Sequence, residues 1–253
     1  MRRGQRATKR QEREQRILDT AAELLQRWGY RKTTIDDIAR QAGVAKGTIY
    51  LHWKTREELF ETLLIREWLK IAQEFQRRMR EHPEGFTLSA VAHHAVSLIM
   101  GNPLIKDIIT GNSDLLEALS HLPVSDEIIQ MRVMMGKAYI ELLREYGMVR
   151  TDMPVEQQIK LLLALSTGFL IGNTVLPENL RFPPEAMADM LAEVIRRTFE
   201  PSELPAPEAV QEVTHTLEQM LQQLIERIQA QMGGEFIDPI LPHSKEESID
   251  TSV

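Results

Sequence analysis

Apolar residues recur every three or four positions along most of this chain, which is the spacing of one face of an α-helix. The first such stretch runs from Glu12 to Trp28 and ends at Gly29. Two shorter stretches follow in residues 33–53, TTIDDIARQAGVAKGTIYLHW, with Gly43 between them. The pattern therefore predicts three N-terminal helices, of which the last two are joined by a tight turn. This is the arrangement that lays its second helix in the DNA major groove.

Residues with known preferences for helix ends support this prediction. Thr34 precedes an apolar run and is followed three residues later by Asp37, as in an N-terminal cap. Gly43 tolerates the positive φ that a helix end requires. Thr55 and Glu58 have the spacing of a second capping box and predict the start of a long fourth helix.

The rest of the chain predicts helices only. The fourth helix is expected from Thr55 to Arg80, where the breaker EHPEG follows. Further helices are predicted at residues 87–100, 103–110, 113–121, 125–146, 154–175, 184–199 and 208–232. Neither an alternating strand pattern nor an Asn-Gly hairpin signal occurs. We therefore expect an all-α fold.

Charge is distributed unevenly along the 253 residues. The formal net charge is −7, yet residues 1–56 contain fourteen Lys and Arg against six Asp and Glu. The first quarter therefore carries +8 and the remainder −15. A basic segment on an acidic body is typical of a nucleic-acid-binding head.

Composition excludes several classes of protein. The chain has no cysteine, which excludes disulfides, thiolate metal sites and cysteine nucleophiles. We find no apolar run approaching the ~20 residues that span a bilayer. The basic N-terminus also lacks the apolar core of a signal peptide. We therefore expect a soluble intracellular protein with no membrane partner.

The segment from Ile17 to about Leu64, ILDTAAELLQRWGYRKTTIDDIARQAGVAKGTIYLHWKTREELFETLL, resembles the DNA-binding domain of TetR/AcrR-type transcriptional regulators. The spacing holds through three successive helices without a gap. The resemblance implies an all-α protein with an N-terminal three-helix helix-turn-helix DNA-binding domain and a C-terminal helical domain for ligand binding and dimerisation. It also implies a double-stranded DNA operator as partner and a location in the bacterial cytoplasm, associated with the nucleoid.

We divide the chain into five segments. They are a basic disordered arm at 1–11, the DNA-binding domain at 12–60, an effector-binding and dimerisation domain at 61–202, a Pro-rich linker with an extra amphipathic helix at 203–232, and a disordered tail at 233–253. The arm either contacts phosphates and a minor groove or solubilises the protein, and the sequence leaves both interpretations open.

Seven residues are candidate DNA contacts: Thr34, Lys46, Gly47, Thr48, Tyr50, His52 and Lys54. Lys46 begins the recognition helix, where a donor meets guanine, and Gly47 allows close backbone approach. The resemblance implies phosphate contacts for Thr48 and Tyr50. His52 either binds DNA or caps its own helix. Thr34 and Lys54 each lie at the opening of a predicted helix, where a side-chain donor can bind a phosphate.

The C-terminal half contains the predicted effector and dimer surfaces. Six methionine and aromatic residues are candidates for the pocket: Met100, Met131, Met134, Met135, Tyr139 and Phe169. Such residues suit an adaptable apolar site, although a methionine stripe at helical spacing is also typical of an ordinary core. The resemblance implies that helices 154–175 and 184–199 pair with a second copy as a four-helix bundle. The helix at 208–232 exceeds the family pattern and either extends that interface, covers the pocket or binds a partner.

Nothing in the sequence favours catalysis or a cofactor. No HExxH, GxSxG or phosphate-binding glycine loop occurs, and the histidines lack metal-ligand spacing. We therefore predict a homodimeric repressor that a small, largely apolar molecule releases from a palindromic operator. One alternative is an effector-independent DNA-binding protein whose body recruits another protein. The other is an enzyme with a vestigial DNA-binding head, which requires a cavity with clustered carboxylates or histidines.

Overall fold

The protein was analysed as a computed structural model that describes residues 2–81, 86–110, 115, 123–203 and 205–232. Within these ranges the chain forms ten α-helices and no strand, which confirms the predicted all-α class. The helices are α1 Arg2–Trp28, α2 Ile35–Ala42, α3 Lys46–Tyr50, α4 Arg56–Glu81, α5 Leu88–Gly101, α6 Pro103–Ile109, α7 Pro123–Glu145, α8 Val155–Val175, α9 Pro184–Phe199 and α10 Pro207–Met232.

The predicted ends of α2 and α4 are present in the structure. The Thr34 hydroxyl accepts a hydrogen bond from the Asp37 amide at 3.2 Å, which satisfies one free donor of α2. Thr55 likewise accepts from the Glu58 amide at 3.1 Å. Gly43 ends α2 with φ of 66° in the left-handed region. These local signals fix the turn that precedes α3.

Replacing Gly43 by alanine is expected to destabilise the fold by about 1 kcal/mol, because a Cβ disfavours the left-handed conformation. Gly136→Ala is the matched control, since Gly136 lies inside α7 without a positive φ. Alanine has the higher helix propensity there, so this change is expected to stabilise by about 0.5 kcal/mol. Urea denaturation measures the change in the free energy of unfolding for each variant. Changes of equal sign would contradict the left-handed conformation of Gly43.

Two hydrophobic cores organise the described helices. The first contains the buried faces of α1, α2, α3 and early α4, and it also takes in Ile105 and Ile108 of α6. The second joins the later turns of α4 to α5, α7, α8, α9 and the first half of α10. We call α1–α3 the head and the helices from α5 onward the body. Because α4 contributes to both cores, it connects the head to the body.

A sharp bend between α5 and α6 brings the body against the head. The two helices meet at 105°, and Asn102 lies at the corner. The side-chain Oδ1 of Asn102 accepts a hydrogen bond from the Ile105 amide at 3.1 Å and so caps α6. The bend directs α6 into the first core.

Several sequence predictions differ from the structure. Helix α1 begins at Arg2 rather than Glu12, so the segment predicted as a disordered arm is helical in its described backbone. The reason is that Arg, Gln, Lys and Ala, which fill this segment, favour helix. Trp28, the last residue of the first predicted apolar stretch, is 38% exposed because α1 ends there. The predicted helix at 113–121, apart from residue 115, and the tail at 233–253 lie outside the described residues.

Helix α8 is long enough to span a bilayer although it contains no unbroken apolar run of ~20 residues. Among the described residues it is the single helix long and apolar enough to cross a bilayer by itself, with a mean hydropathy of 1.3. The sequence search required an unbroken apolar run, whereas α8 mixes leucine with isolated polar residues such as Gln158 and Asn173. Interface and core helices have the same composition, so this observation alone assigns no membrane role.

Candidate functional site

The exposed face of α3 forms the first candidate site. Ile49 is fully buried and fixes the helix on the head, while Lys46, Gly47 and Tyr50 lie on the surface. Lys46 donates to Asp36 at 2.8 Å, so its ammonium group is held beside the start of α2. Tyr50 is 41% exposed, which leaves its ring accessible. An open helix with a cation at its first position can present donors to base edges or phosphates.

Thr34 and Lys54 lie at the openings of α2 and α4. Both residues are exposed, whereas Thr48 on α3 is half-buried. The Thr34 hydroxyl donates to the Asp37 carboxylate at 2.6 Å. The Lys54 amide donates to the Glu58 carboxylate at 2.6 Å, leaving the ammonium group on the surface. A phosphate contact at Thr34 therefore competes with the neighbouring aspartate.

His52 does not lie on this open face. Its side chain is 5% exposed, and Nδ1 lies 3.6 Å from a carboxylate oxygen of Glu14 on α1. Burial lowers the pKa of His52, although Glu14 partly opposes that effect. The sequence could not reveal this contact because it depends on how α1 crosses α3. Trp53, which follows His52, is buried, and its ring N–H donates to the Thr62 hydroxyl at 2.9 Å.

Arg56 supports the head in a way that sequence reasoning missed. Its guanidinium donates to the carbonyl of Thr33 at 3.0 Å and to the carbonyl of Tyr30. The same group lies 3.8 Å from the centroid of the Tyr30 ring. These contacts tie the start of α4 to the turn before α2. An arginine at a helix start gives no sequence signal for such a role.

A second candidate site is an apolar cavity between α4, α5 and α10. Its volume is about 200 Å³. Its walls are Ile65, Trp68, Ile71, Ala72 and Phe75 of α4, Ala95 and Ile99 of α5, and Leu221, Leu224 and Ile228 of α10. No side chain in this lining carries a charge. The cavity therefore suits an apolar ligand.

The predicted pocket residues are not brought together around this cavity. Met100 and Tyr139 are buried in the second core, and the Tyr139 hydroxyl donates to the Phe86 carbonyl at 2.9 Å. Met134 is exposed on α7, and Phe169 packs beside the second core from α8. Met135 is half-buried on α7, while the side chain of Met131 lies outside the described part. None of those with described side chains lines this cavity, because aromatic and methionine content does not determine which helices enclose a space, and the role of all six in ligand binding stays a prediction.

A buried charge network lies beside the cavity, on the same turns of α4. Arg66 is 4% exposed and donates to Asp19 of α1 at 2.7 Å and to Glu67 at 3.1 Å. Glu67 in turn accepts from Lys70 at 2.8 Å and from Asn102 at 2.9 Å. We call this set, Asp19, Arg66, Glu67, Lys70 and Asn102, the α4 network. It joins α1 of the head to the α5–α6 corner.

The contacts of the α4 network lower the pKa of the Glu67 carboxyl. Burial alone would raise the pKa of Glu67, but hydrogen bonds from Lys70 and Asn102 and the charges of Lys70 and Arg66 outweigh it. Its pKa therefore lies below the usual value, and Glu67 is ionised at neutral pH. An ionised carboxylate is needed to compensate the buried Arg66 guanidinium.

A third concavity, between α5 and α9, is polar and wide open. It contains His93, whose Nε2 lies 3.0 Å from the Asp189 carboxylate. Across the described residues, no group of three or more histidines and acids is placed to hold a metal ion. Among its described residues this cleft therefore offers the His93–Asp189 contact and the Arg196–Glu193 ion pair rather than a coordination site.

Comparison with known proteins identifies the head. Residues 17–63 match the family described as bacterial regulatory proteins, tetR family. The fatty acid metabolism regulator protein of Bacillus subtilis is 34% identical over 65 residues, which are 26% of this chain and 34% of that protein. The chain spans about a third of the length of the first curated relatives that it matches. The family match itself covers residues 17–63, which contain the helix-turn-helix.

Two solved structures share the fold over a longer range. FadR from Bacillus subtilis, in complex with stearoyl-CoA, has a TM-score of 0.54 at 20% identity and covers 72% of this chain and 96% of its own. NalD, the secondary repressor of the MexAB-OprM multidrug efflux pump in Pseudomonas aeruginosa, has a TM-score of 0.56 at 22% identity and covers 76% and 98%. At these identities the likeness concerns the fold alone.

The head is thus a helix-turn-helix domain of the type found in bacterial transcriptional regulators. Residues 17–63 match the tetR family of bacterial regulatory proteins, and this match concerns the DNA-binding domain.

Proposed function

We propose that this protein is a sequence-specific DNA-binding regulator that acts as a homodimeric repressor in the bacterial cytoplasm. A small, largely apolar ligand releases it from a palindromic operator. The observation that carries the DNA-binding proposal is the exposed α3 face with Lys46, Gly47 and Tyr50, held on a head that matches the tetR family. In a helix-turn-helix protein such a face enters the major groove.

Dimerisation is supported by apolar side chains left exposed on α8, on α9 and in their connection. These are Leu163, Ile171, Val175, Leu180, Phe182 and Met190, which we call the α8–α9 face. The connection itself is well ordered, since the Asn173 side chain both donates to and accepts from the Phe182 backbone, at 3.0 and 2.8 Å. An exposed apolar face on rigid elements is typical of a protein interface. A symmetric pair built on this face would present two recognition helices to one palindrome.

Ligand release is supported by the place of the apolar cavity on α4. Ile65 and Trp68 line the cavity, while Arg66 and Glu67 between them belong to the α4 network. A ligand that binds better to one position of α4 changes how the head is held and shifts the population toward that state. Operator affinity falls if the favoured state separates the two recognition helices from their spacing of roughly 34–36 Å.

Tyr50→Ala is expected to weaken binding to the operator by about tenfold, because it removes an exposed ring and a hydroxyl from the face that approaches the backbone of DNA. Fluorescence anisotropy with DNA from upstream of the protein's own gene, across a salt series, measures the change. Tyr50→Phe is the matched variant, since it keeps the ring and removes the hydroxyl alone. Wild-type protein that binds every sequence equally well, and is unaffected by Tyr50→Ala, would refute the proposal.

A further inference from the structure

The C-terminal helix α10 forms one wall of the apolar cavity. Its first half is anchored in the second core through Val213 and Leu217. Leu221 belongs to the second core and also lines the cavity. Farther along, Leu224 and Ile228 line the cavity and belong to neither core. One continuous face of α10 therefore changes from core packing to cavity lining.

Polar contacts hold this wall against α4 beside the cavity. The Gln76 side-chain amide donates to Gln222 at 3.1 Å, and Gln76 is itself buried. One turn away, Arg80 and Glu218 approach to 4.0 Å. Such contacts are exchangeable with water at low net cost, so they position α10 without sealing it permanently.

The lining defines the chemistry of a ligand. A carboxylate, phosphate or ammonium group that binds against these walls would lose part of its hydration and meet no charged partner in the lining, which makes its burial unfavourable. The rings of Trp68 and Phe75 favour contact with apolar or aromatic groups. The cavity thus differs from a site for a ligand with an anionic head group.

The volume limits the size of the ligand. A dry apolar cavity of about 150 Å³ in another protein holds benzene. The present cavity, at about 200 Å³, has room for a somewhat larger molecule, such as a benzene ring with a short alkyl substituent.

We propose that this cavity is a binding site for an uncharged apolar molecule the size of an alkylbenzene, and that α10 is an essential wall of the site. The proposal names the ligand class and one wall of the ligand site of the ligand-released regulator. Its regulatory meaning rests on the proposed function, whereas binding itself does not.

The test is calorimetric titration of the full-length protein with ethylbenzene, compared with benzoate and benzylamine as charged molecules of similar size. Ethylbenzene is expected to bind saturably and the charged molecules at least about tenfold more weakly. Ala72→Leu places a larger side chain in the cavity and is expected to weaken ethylbenzene binding by about tenfold or more. Ala138→Leu, at an exposed position on α7, makes the same change outside the cavity and is expected to leave binding unaltered.

The contribution of α10 has its own variants. Leu224→Gln introduces an amide into the wall and is expected to weaken ethylbenzene binding by about tenfold. Gln223→Ala changes the adjacent exposed residue and is expected to have no effect. Circular dichroism checks that all four variants remain folded. Undiminished binding by Leu224→Gln would overturn the role of α10 even if ethylbenzene binds.

Operator binding is measured on the same samples to separate the two proposals. A wild type that binds its operator but not ethylbenzene, or Ala72→Leu that binds ethylbenzene like the wild type, overturns the cavity site and leaves DNA binding standing. Binding of ethylbenzene without operator binding leaves the site standing and overturns the proposed function. Ethylbenzene that binds the wild type and lowers its operator affinity supports both.

Discussion

Ile171→Glu is expected to separate the dimer and lower operator affinity by about a hundredfold. Ile171 lies on α8 with 40% of its surface exposed, so the single chain can accept a glutamate there without loss of its cores. In a symmetric dimer the change occurs on both partners and places two carboxylates in one apolar interface. Each separated head then binds a half-site alone, without the high effective concentration that the second head supplies.

Light scattering and fluorescence anisotropy measure the mass and the operator affinity of this variant. Gln157→Glu is the control, because it adds the same charge at an exposed position in the first turn of α8. A dimer that survives Ile171→Glu places the interface elsewhere. A wild type that is monomeric and still binds its operator favours the alternative in which the α8–α9 face recruits a different protein.

Glu67→Ala is expected to lower the free energy of unfolding by about 3 kcal/mol. The change leaves the buried Arg66 with Asp19 as its one charged partner beside the neutral Gln15, and it removes the acceptor of Lys70 and Asn102. Removing one partner of a buried charge network costs more than the network contributes as a whole, because the other charge stays desolvated. Urea denaturation followed by circular dichroism measures the loss.

Glu74→Ala is the matched control on the same helix. Glu74 pairs with Arg77 and Arg78 at the surface, where solvent screens ion pairs, and its loss is expected to have a much smaller effect than that of Glu67→Ala. Equal losses for the two variants would show that the α4 network is no stronger than a surface pair.

The loss in the free energy of unfolding caused by Glu67→Ala should also depend on pH. Since the pKa of Glu67 is lowered in the folded protein, its contribution is fully present above the unfolded value of about 4.3. The contribution is lost as pH falls from there through the folded pKa. The stability difference between wild type and Glu67→Ala should therefore shrink at acid pH, and a difference that grows on acidification would contradict the pKa direction.

Local signals made the head predictable. Thr34, Gly43 and Thr55 each act within three or four residues of their own position, so their hydrogen bonds and φ angles follow from the neighbouring sequence. The exposed position of Tyr50 follows equally from the burial of Ile49 beside it on a short helix. The same reasoning assigned the bounds of α8 and α9 to within one residue.

Long-range packing could not be predicted in the same way. His52 was a candidate DNA contact, and only the crossing of α1 places Glu14 against it. The apolar cavity depends on α10 lying along α4, which joins residues almost 150 positions apart, such as Gln76 and Gln222. A methionine-rich stretch on α7 carries no information about that contact. The sequence therefore indicated an apolar site in the body but not its walls.

The shared turn of α4 has a consequence for how such a regulator can diversify. Ile65 and Trp68 line the cavity on the same turn of α4 where Arg66 and Glu67 connect the head to the α5–α6 corner, so we expect changes at Ile65 or Trp68 to disturb that connection as well. The cavity wall on α10 carries no such second duty among its described contacts. Substitutions at Leu224 or Ile228 can therefore alter ligand preference while the DNA-binding face of α3 stays unchanged. Response to new ligands would then evolve through changes near the C-terminal end of the chain, while the N-terminal head would keep its operator.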